Sequence, residues 1–287
     1  MAGKTRKTII IMNSTLKSTL KTSAITIAMG LSASGAFAAA TAYDTSANYT
    51  GGWGASTTPN LGSGFGAWSV VSNDGGGSAP YAGTYLDLAS YSNPDAVLTG
   101  GSSWGTYANS APNAFIDLSR AFNTGGGSAS LVNQTFSVAF NSSGIGGTGQ
   151  SIGLSVGSAF SLTYAGGGAD NMMLSVDGAA ASAISVNYAQ LAAGINVALT
   201  VTGAVGSSAE GYSLTISPFA GGPALYTGFG AFDSSVFNTS SFTLADINTA
   251  NNQYFNNLSI TAVPEPSTVA MSLSGLAAFL VFRRRVR

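Results

Sequence analysis

Between residues 134 and 140 the chain reads Gln-Thr-Phe-Ser-Val-Ala-Phe, so Phe136, Val138 and Phe140 alternate with Thr135, Ser137 and Ala139. Strict alternation gathers the large apolar side chains on one face only when the backbone is extended, because successive Cβ atoms of a strand point to opposite sides. Short runs of the same kind recur at 65–71, 84–88, 104–107, 114–118, 152–156, 160–164, 172–176, 184–188, 195–201, 212–216 and 254–261. Gly, Asn, Asp and Pro punctuate them, and Asp177-Gly178 directly after 172–176 is a hairpin signal. Residues 224–226 offer a further short pairing segment, 242–244 is expected to precede a short helix near 245–249, and 43–64 reads as irregular. The Gly, Ser and Thr content invites a disordered reading, but a disordered tract lacks this recurrent apolar alternation. The expected fold is all-β: a two-sheet antiparallel sandwich, jelly-roll or lectin-like, over residues 43–262.

The two ends have a different character. Lys4, Arg6, Lys7, Lys17 and Lys21 precede an apolar segment at 24–37, then the small-residue sites Ala36-Phe37-Ala38 and Ala40-Thr41-Ala42. Residues 1–42 therefore read as a secretory signal peptide with a signal helix, cut after Ala38 or Ala42, and Met12 is an alternative start to Met1. At the other end stand Val263, Pro264, Glu265 and Pro266, an uncharged apolar run at 268–282, then Arg283, Arg284, Arg285 and Arg287. The prolines keep the approach extended. The run is apolar all round, as a transmembrane helix is. At ~1.5 Å per residue it is shorter than a ~30 Å hydrocarbon core, and its arginines belong on the cytoplasmic side. An ordinary membrane anchor is the alternative, although so short a tail anchors weakly.

The Val-Pro-Glu-Pro box, short apolar segment and arginine cluster of 263–287 together resemble the PEP-CTERM sorting signal of Gram-negative bacteria. The resemblance implies an exosortase as partner, a transient stay in the inner membrane, and cleavage near the box that releases or re-attaches the exported domain. It also implies delivery to the cell surface or extracellular matrix, commonly alongside exopolysaccharide and biofilm production. A second resemblance, to the Gly-Phe-Gly-Ala-Trp segment of some β-sandwich proteins bearing that signal, rests on 64–68, 104–110 and 254–258 and assigns no activity. A similar run, Gly228-Phe229-Gly230-Ala231-Phe232, is either chance or a second strand packed in the same way.

Removing both ends changes the electrostatics. Across 43–265 the only basic residue is Arg120, set against all eleven acidic residues, for a formal charge of −10. Such a surface repels nucleic acid and favours cations. Arg120 is expected to pair with Asp117 or another nearby carboxylate. Histidine and cysteine are absent and no lysine follows Lys21, which closes Ser-His-Asp, Cys-His and Schiff-base chemistry and disulfide formation. Paired carboxylates are the remaining route to catalysis. Asp87 and Asp117 sit mid-strand, where the ordinary reading is a solvent-facing position, and no Glu/Asp cluster accompanies them. No catalytic residue is assigned, and no cofactor is expected beyond calcium.

Two binding readings remain. Aromatic residues concentrate in the first third, and Trp53, Tyr81 and Trp104 are the candidate sugar-stacking residues, Trp53 being the one expected in an exposed loop. Asp246, Asn248 and Asn251 are candidate calcium ligands, because hard cations want clustered oxygens. The resulting expectation is an exported, non-enzymatic β-sandwich with a structural or adhesive role in exopolysaccharide. A carbohydrate-binding module is the alternative and a glycoside hydrolase the remoter one.

Overall fold

Each alternating run forms a strand because its inward face finds a second sheet to bury against. The computed structural model describes residues 40–50, 52–54, 60–74, 82–91, 95–108, 113–122, 133–142, 144–145, 147–157, 159–168, 170–202, 211–231, 241–247 and 252–263. The apolar segment of the expected signal peptide, 24–37, and the expected transmembrane helix, 268–282, lie outside them. In chain order the strands are β1 (Ala40–Asp44), β2 (Phe65–Asp74), β3 (Ala82–Leu88), β4 (Ser102–Ala108) and β5 (Ala114–Phe122). Next come β6 (Gln134–Ser142), β7 (Ser151–Val156), β8 (Phe160–Ala165), β9 (Asn171–Val176) and β10 (Ser182–Asn187). After a single helical turn, α1 (Tyr188–Ala192), follow β11 (Ile195–Thr202), β12 (Gly211–Pro218), β13 (Tyr226–Ala231), β14 (Ser241–Ile247) and β15 (Gln253–Ala262).

The pairings described are antiparallel. One sheet runs β10-β9-β8-β7-β14-β5-β2. The other centres on β15, which pairs along one side with β6 and along the other with β4 and then β1, while β3 forms the edge beyond β4. A three-stranded ribbon, β11-β12-β13, lies beside β6. Asn133 N–H donates to Val201 O at 2.8 Å, and the Thr135 and Thr200 hydroxyls meet at 2.8 Å. Phe136, Phe140, Trp104 and Phe255 face inward and share one core with Ile116, Leu118 and Phe122 of the opposite sheet, all of them almost fully buried. The chain is all-β and built as a sandwich.

Several local expectations change. The stretch 245–247 is not helical: β14 lies between β5 and β7, and backbone pairing on both sides holds it extended. Residues 43–64 are not uniformly irregular, since β1 pairs with β15 and a 3-10 turn follows at Ser46–Asn48. Tyr188 leaves the strand register to start α1, where Asn187 and Gln190 form a capping box. The paired Gly-Phe-Gly-Ala runs do not pack alike, because Phe65 on β2 is buried whereas Phe229 on β13 is 86% exposed.

Candidate functional site

The elements that build the site converge where β1 meets β15. Arg120 is buried there. It ion-pairs with Asp44 rather than Asp117, because residues three apart on β5 point to opposite faces. Its Nε donates to Gly66 O at 2.8 Å, its other arm donates to Asn60, and its Cζ sits 4.9 and 4.8 Å from the ring centroids of Phe65 and Trp68. Asp44 in turn accepts from Thr45 N–H and Asn48 Nδ2, each at 2.8 Å, and from Tyr49 O–H at 2.6 Å. Burial pushes the Tyr49 phenol above its ordinary range, and its hydrogen bond to Asp44 adds to that although Arg120 opposes it. A fully buried cation whose three nitrogens each donate to a protein oxygen is enclosed by the fold and not presented to a ligand.

Beside this pair lies an aromatic cluster. Trp53, Trp68, Trp104 and Phe255 pack with ring centroids 5.4 to 6.2 Å apart, in edge-on and tilted contacts that suit the ring quadrupoles. Asn256, on the opposite face of β15 from Phe255, ties the surrounding loops together. Its Oδ1 accepts from Thr45 O–H at 3.0 Å and Ser46 N–H at 3.1 Å, and its Nδ2 donates to Ser102 O at 2.7 Å and Val97 O at 3.1 Å.

Outside that scaffold, an open cleft of about 540 Å³ runs along β3, the edge strand. One wall is the segment after β1, with Ser46, Thr50 and Trp53; the other comprises Thr84, Tyr85, Leu86 and Leu88 of β3 and the turn into β4, with Tyr91, Gly100 and Gly101. Both glycines have positive φ, 61° and 88°, which turns the chain tightly enough to leave the cleft open. Tyr91 is half exposed. Tyr85 lies across Gly105, where an added Cβ would come within 2.5 Å of its ring, and its hydroxyl accepts from Asn252. Burial, then contact with Tyr254, raises the Tyr85 phenol well above its ordinary range, so it stays neutral. Among the described residues no Asp, Glu, Lys or Arg lines the cleft. Thr84 Oγ1, Trp53 Nε1 and both side-chain polar atoms of Gln253 are buried without a hydrogen-bond partner. Thr84 and Gln253 each pair with Thr106 across β4, so the three share one row of the sheet.

The candidate residues named from the sequence fare differently. Trp53 is not an exposed loop residue: it is 5% exposed, because the loop folds inward and seats the indole on Trp68 and Phe255. Trp104 is fully buried and faces the core, so neither indole offers a face for stacking. Tyr81 lies outside the described residues. The exposed ring in the cleft is Tyr91, one of the first-third aromatics but not a singled-out candidate, because 89–101 carries no alternating pattern and only the fold brings it beside β3. Asp246 lies within β14, opposite Ile116 and Ile152, and not in the expected short helix, while Asn248 and Asn251 lie outside the described residues. Among the described residues no group of acidic side chains is placed to hold a metal ion. Ala42 is a buried residue of β1, and Ala38 lies outside the described residues. Val263 donates its N–H to Asn133 O at 2.8 Å, whereas Pro264, Glu265, Pro266 and Arg283 to Arg285 lie outside the described residues.

The two mid-strand aspartates also separate. Asp87 is not a solvent-facing position. It is 4% exposed, because residues 95–101 fold back over its face of the sheet. Its Oδ2 accepts Asp95 N–H at 3.0 Å, and Asp95 accepts in turn from Ser103 O–H and Val97 N–H. Burial pushes the Asp95 carboxyl up to about 6, the Ser103 and Val97 bonds pull it down, and Asp87 pushes it up again. Asp117 is half-buried, and burial raises its carboxyl above the ordinary value.

Residues 262–285 match the family model of the PEP-CTERM protein-sorting motif. The chain carries that exosortase sorting signal. The match takes in Ala262 and Val263, so the PEP-CTERM motif begins on the last residue of β15. No curated protein matches the sequence. Among solved structures, the exoplasmic/lumenal domain of VIP36 in its Ca2+/Man2-bound form has a TM-score of 0.41 at 6% identity, covering 71% of this chain and 84% of that one. The CBM2 module of the evolved Dit of Lactobacillus casei BL23 phage J-1 has a TM-score of 0.38 at 10% identity, covering 69% and 96%. Lectin UEA-II complexed with galactose has a TM-score of 0.34 at 8% identity, covering 62% and 97%.

Proposed function

We propose that this chain is an exported, non-enzymatic surface protein, sorted by an exosortase, whose β-sandwich has a structural or adhesive role in an exopolysaccharide or biofilm matrix. The sorting signal carries the reading. It starts where the last strand stops, with Val263 hydrogen-bonded into the sheet and Pro264 next in sequence, so the fold hands its end directly to the box. The exported end supports a particular first cut. Cleavage after Ala38 leaves β1 whole, whereas cleavage after Ala42 removes the residues that pair with Ile260 and Thr261. Alanine at Pro264, Glu265 and Pro266 together is the test. Precursor held in the membrane fits the reading; unchanged delivery to the surface contradicts it.

A second reading, carbohydrate binding, is favoured by one observation: the cleft along β3 brings the half-exposed Tyr91 together with the exposed Thr50. Tyrosine presents a flat apolar face with a polar edge, which suits a sugar ring.

A further inference from the structure

We propose that the β3 cleft takes an uncharged hexose chain and excludes acidic polysaccharides; this rests on the carbohydrate reading above and narrows it to a ligand class. Charge decides the point. Recognition of a uronate, sulfate or phosphate group calls for a cation or a convergent set of N–H donors. Between residues 43 and 265 the one basic side chain is Arg120, and it is fully enclosed, paired with Asp44 and hydrogen-bonded to Gly66 and Asn60. The exported domain therefore has no basic side chain to present, and its net charge of −10 repels a polyanion at long range.

A polycation meets the opposite difficulty. It is drawn to the domain as a whole, but among the described residues of the cleft there is no carboxylate to fix an ammonium group. The cleft does offer the half-exposed ring of Tyr91 and the exposed Thr50, and the Tyr85 phenol on its wall is neutral. Hydroxyls that both donate and accept match the hydroxyls of a neutral sugar, and the ring covers its apolar face. Thr84, which lines the cleft, carries a buried hydroxyl without a hydrogen-bond partner and adds no charge.

The test is affinity electrophoresis of the full chain in mild detergent through gels containing a neutral glucan, mannan or galactan, an acidic alginate, or a cationic chitosan. A neutral polymer should retard the protein, and Tyr91→Ala should weaken that binding by about tenfold or more, the loss expected for truncating a central aromatic contact. Retardation should persist when salt is raised, since screening acts only on charge. Phe229→Ala, an equally conservative loss of an exposed ring elsewhere, should leave it unchanged. Binding of alginate or chitosan alone overturns the ligand class while the carbohydrate reading stands. Neutral binding that Tyr91→Ala leaves intact overturns the assignment to this cleft. Retardation by none of the polymers overturns both.

Discussion

The two ends of the sandwich are stabilised in different ways. Around β1 and the start of β15, the core is aromatic and encloses an ion pair. Its contacts join residues far apart in sequence: Arg120 to Asp44, and Thr45 and Ser46 to Asn256. The strand registers there slip, between Phe65 and Trp68 on β2 and between Asn256 and Ser259 on β15, where Asn257 has φ 52°. In the ribbon, Val197, Leu199, Val201, Leu214 and Ile216 are fully buried, and β11 pairs with β12 over eight consecutive positions without a shift. The regular end is a plain stack of aliphatic rows. The irregular end bends its strands, encloses polar groups and carries the cleft, in keeping with the tendency of bulges to gather where side chains must be re-aimed.

Breaking the ion pair tests that contrast most severely. Arg120→Met leaves Asp44 buried and uncompensated, and is expected to cost about 3–5 kcal/mol in a denaturant titration. Joint replacement of Arg120 and Asp44 by apolar residues should recover most of that loss, because the penalty lies in the stranded charge. If Arg120→Met alone is neutral, the irregular end is not organised around this pair. In the ribbon, Leu199→Ala should cost about 2–4 kcal/mol through the cavity it leaves, with no recovery from any polar partner.

How much of this was legible follows the same division. The hairpins of the regular end were readable because their pairing is local and their alternation strict: 195–201 and 212–216 became β11 and β12 almost unchanged. Trp53 was misplaced because its glycine-flanked loop looks exposed in sequence, and only the meeting of Trp68, Trp104 and Phe255 gives it somewhere to go. Of the partners left open for Arg120, Asp117 fails because strand geometry places that carboxylate on the other face, and the carboxylate that pairs, Asp44, is distant in sequence. β14 was cut short at 244 because Ala245 and Asp246 have little strand propensity; pairing with two neighbours overrides that. Tyr91 counts among the aromatics of the first third but does not stand out from them, because it belongs to no periodic element. The sorting signal alone was readable outright, since its recognition depends on a linear order of residues.

A milder probe of the irregular end is pH. The Asp95 carboxyl, raised to about 6 mainly by burial, favours the protonated form in the fold. Its contribution to stability is therefore full below about pH 4, the unfolded value, and is lost as pH rises through about 6. Thermal melts between those limits should show falling stability with rising pH, and Asp95→Asn should flatten that slope; an unchanged slope would assign it to other groups. The smallest effect is expected at the edge of the ribbon, where Phe229→Ala removes an exposed ring and should change stability by no more than about 0.5 kcal/mol.

The most direct test of the sorting account is mass spectrometry of the C-terminus of the protein recovered from the cell surface. The account predicts a chain that ends at or near the Pro264-Glu265-Pro266 box, with the terminal arginine peptides missing. An intact C-terminal peptide ending in Arg287 on surface-exposed protein would contradict it.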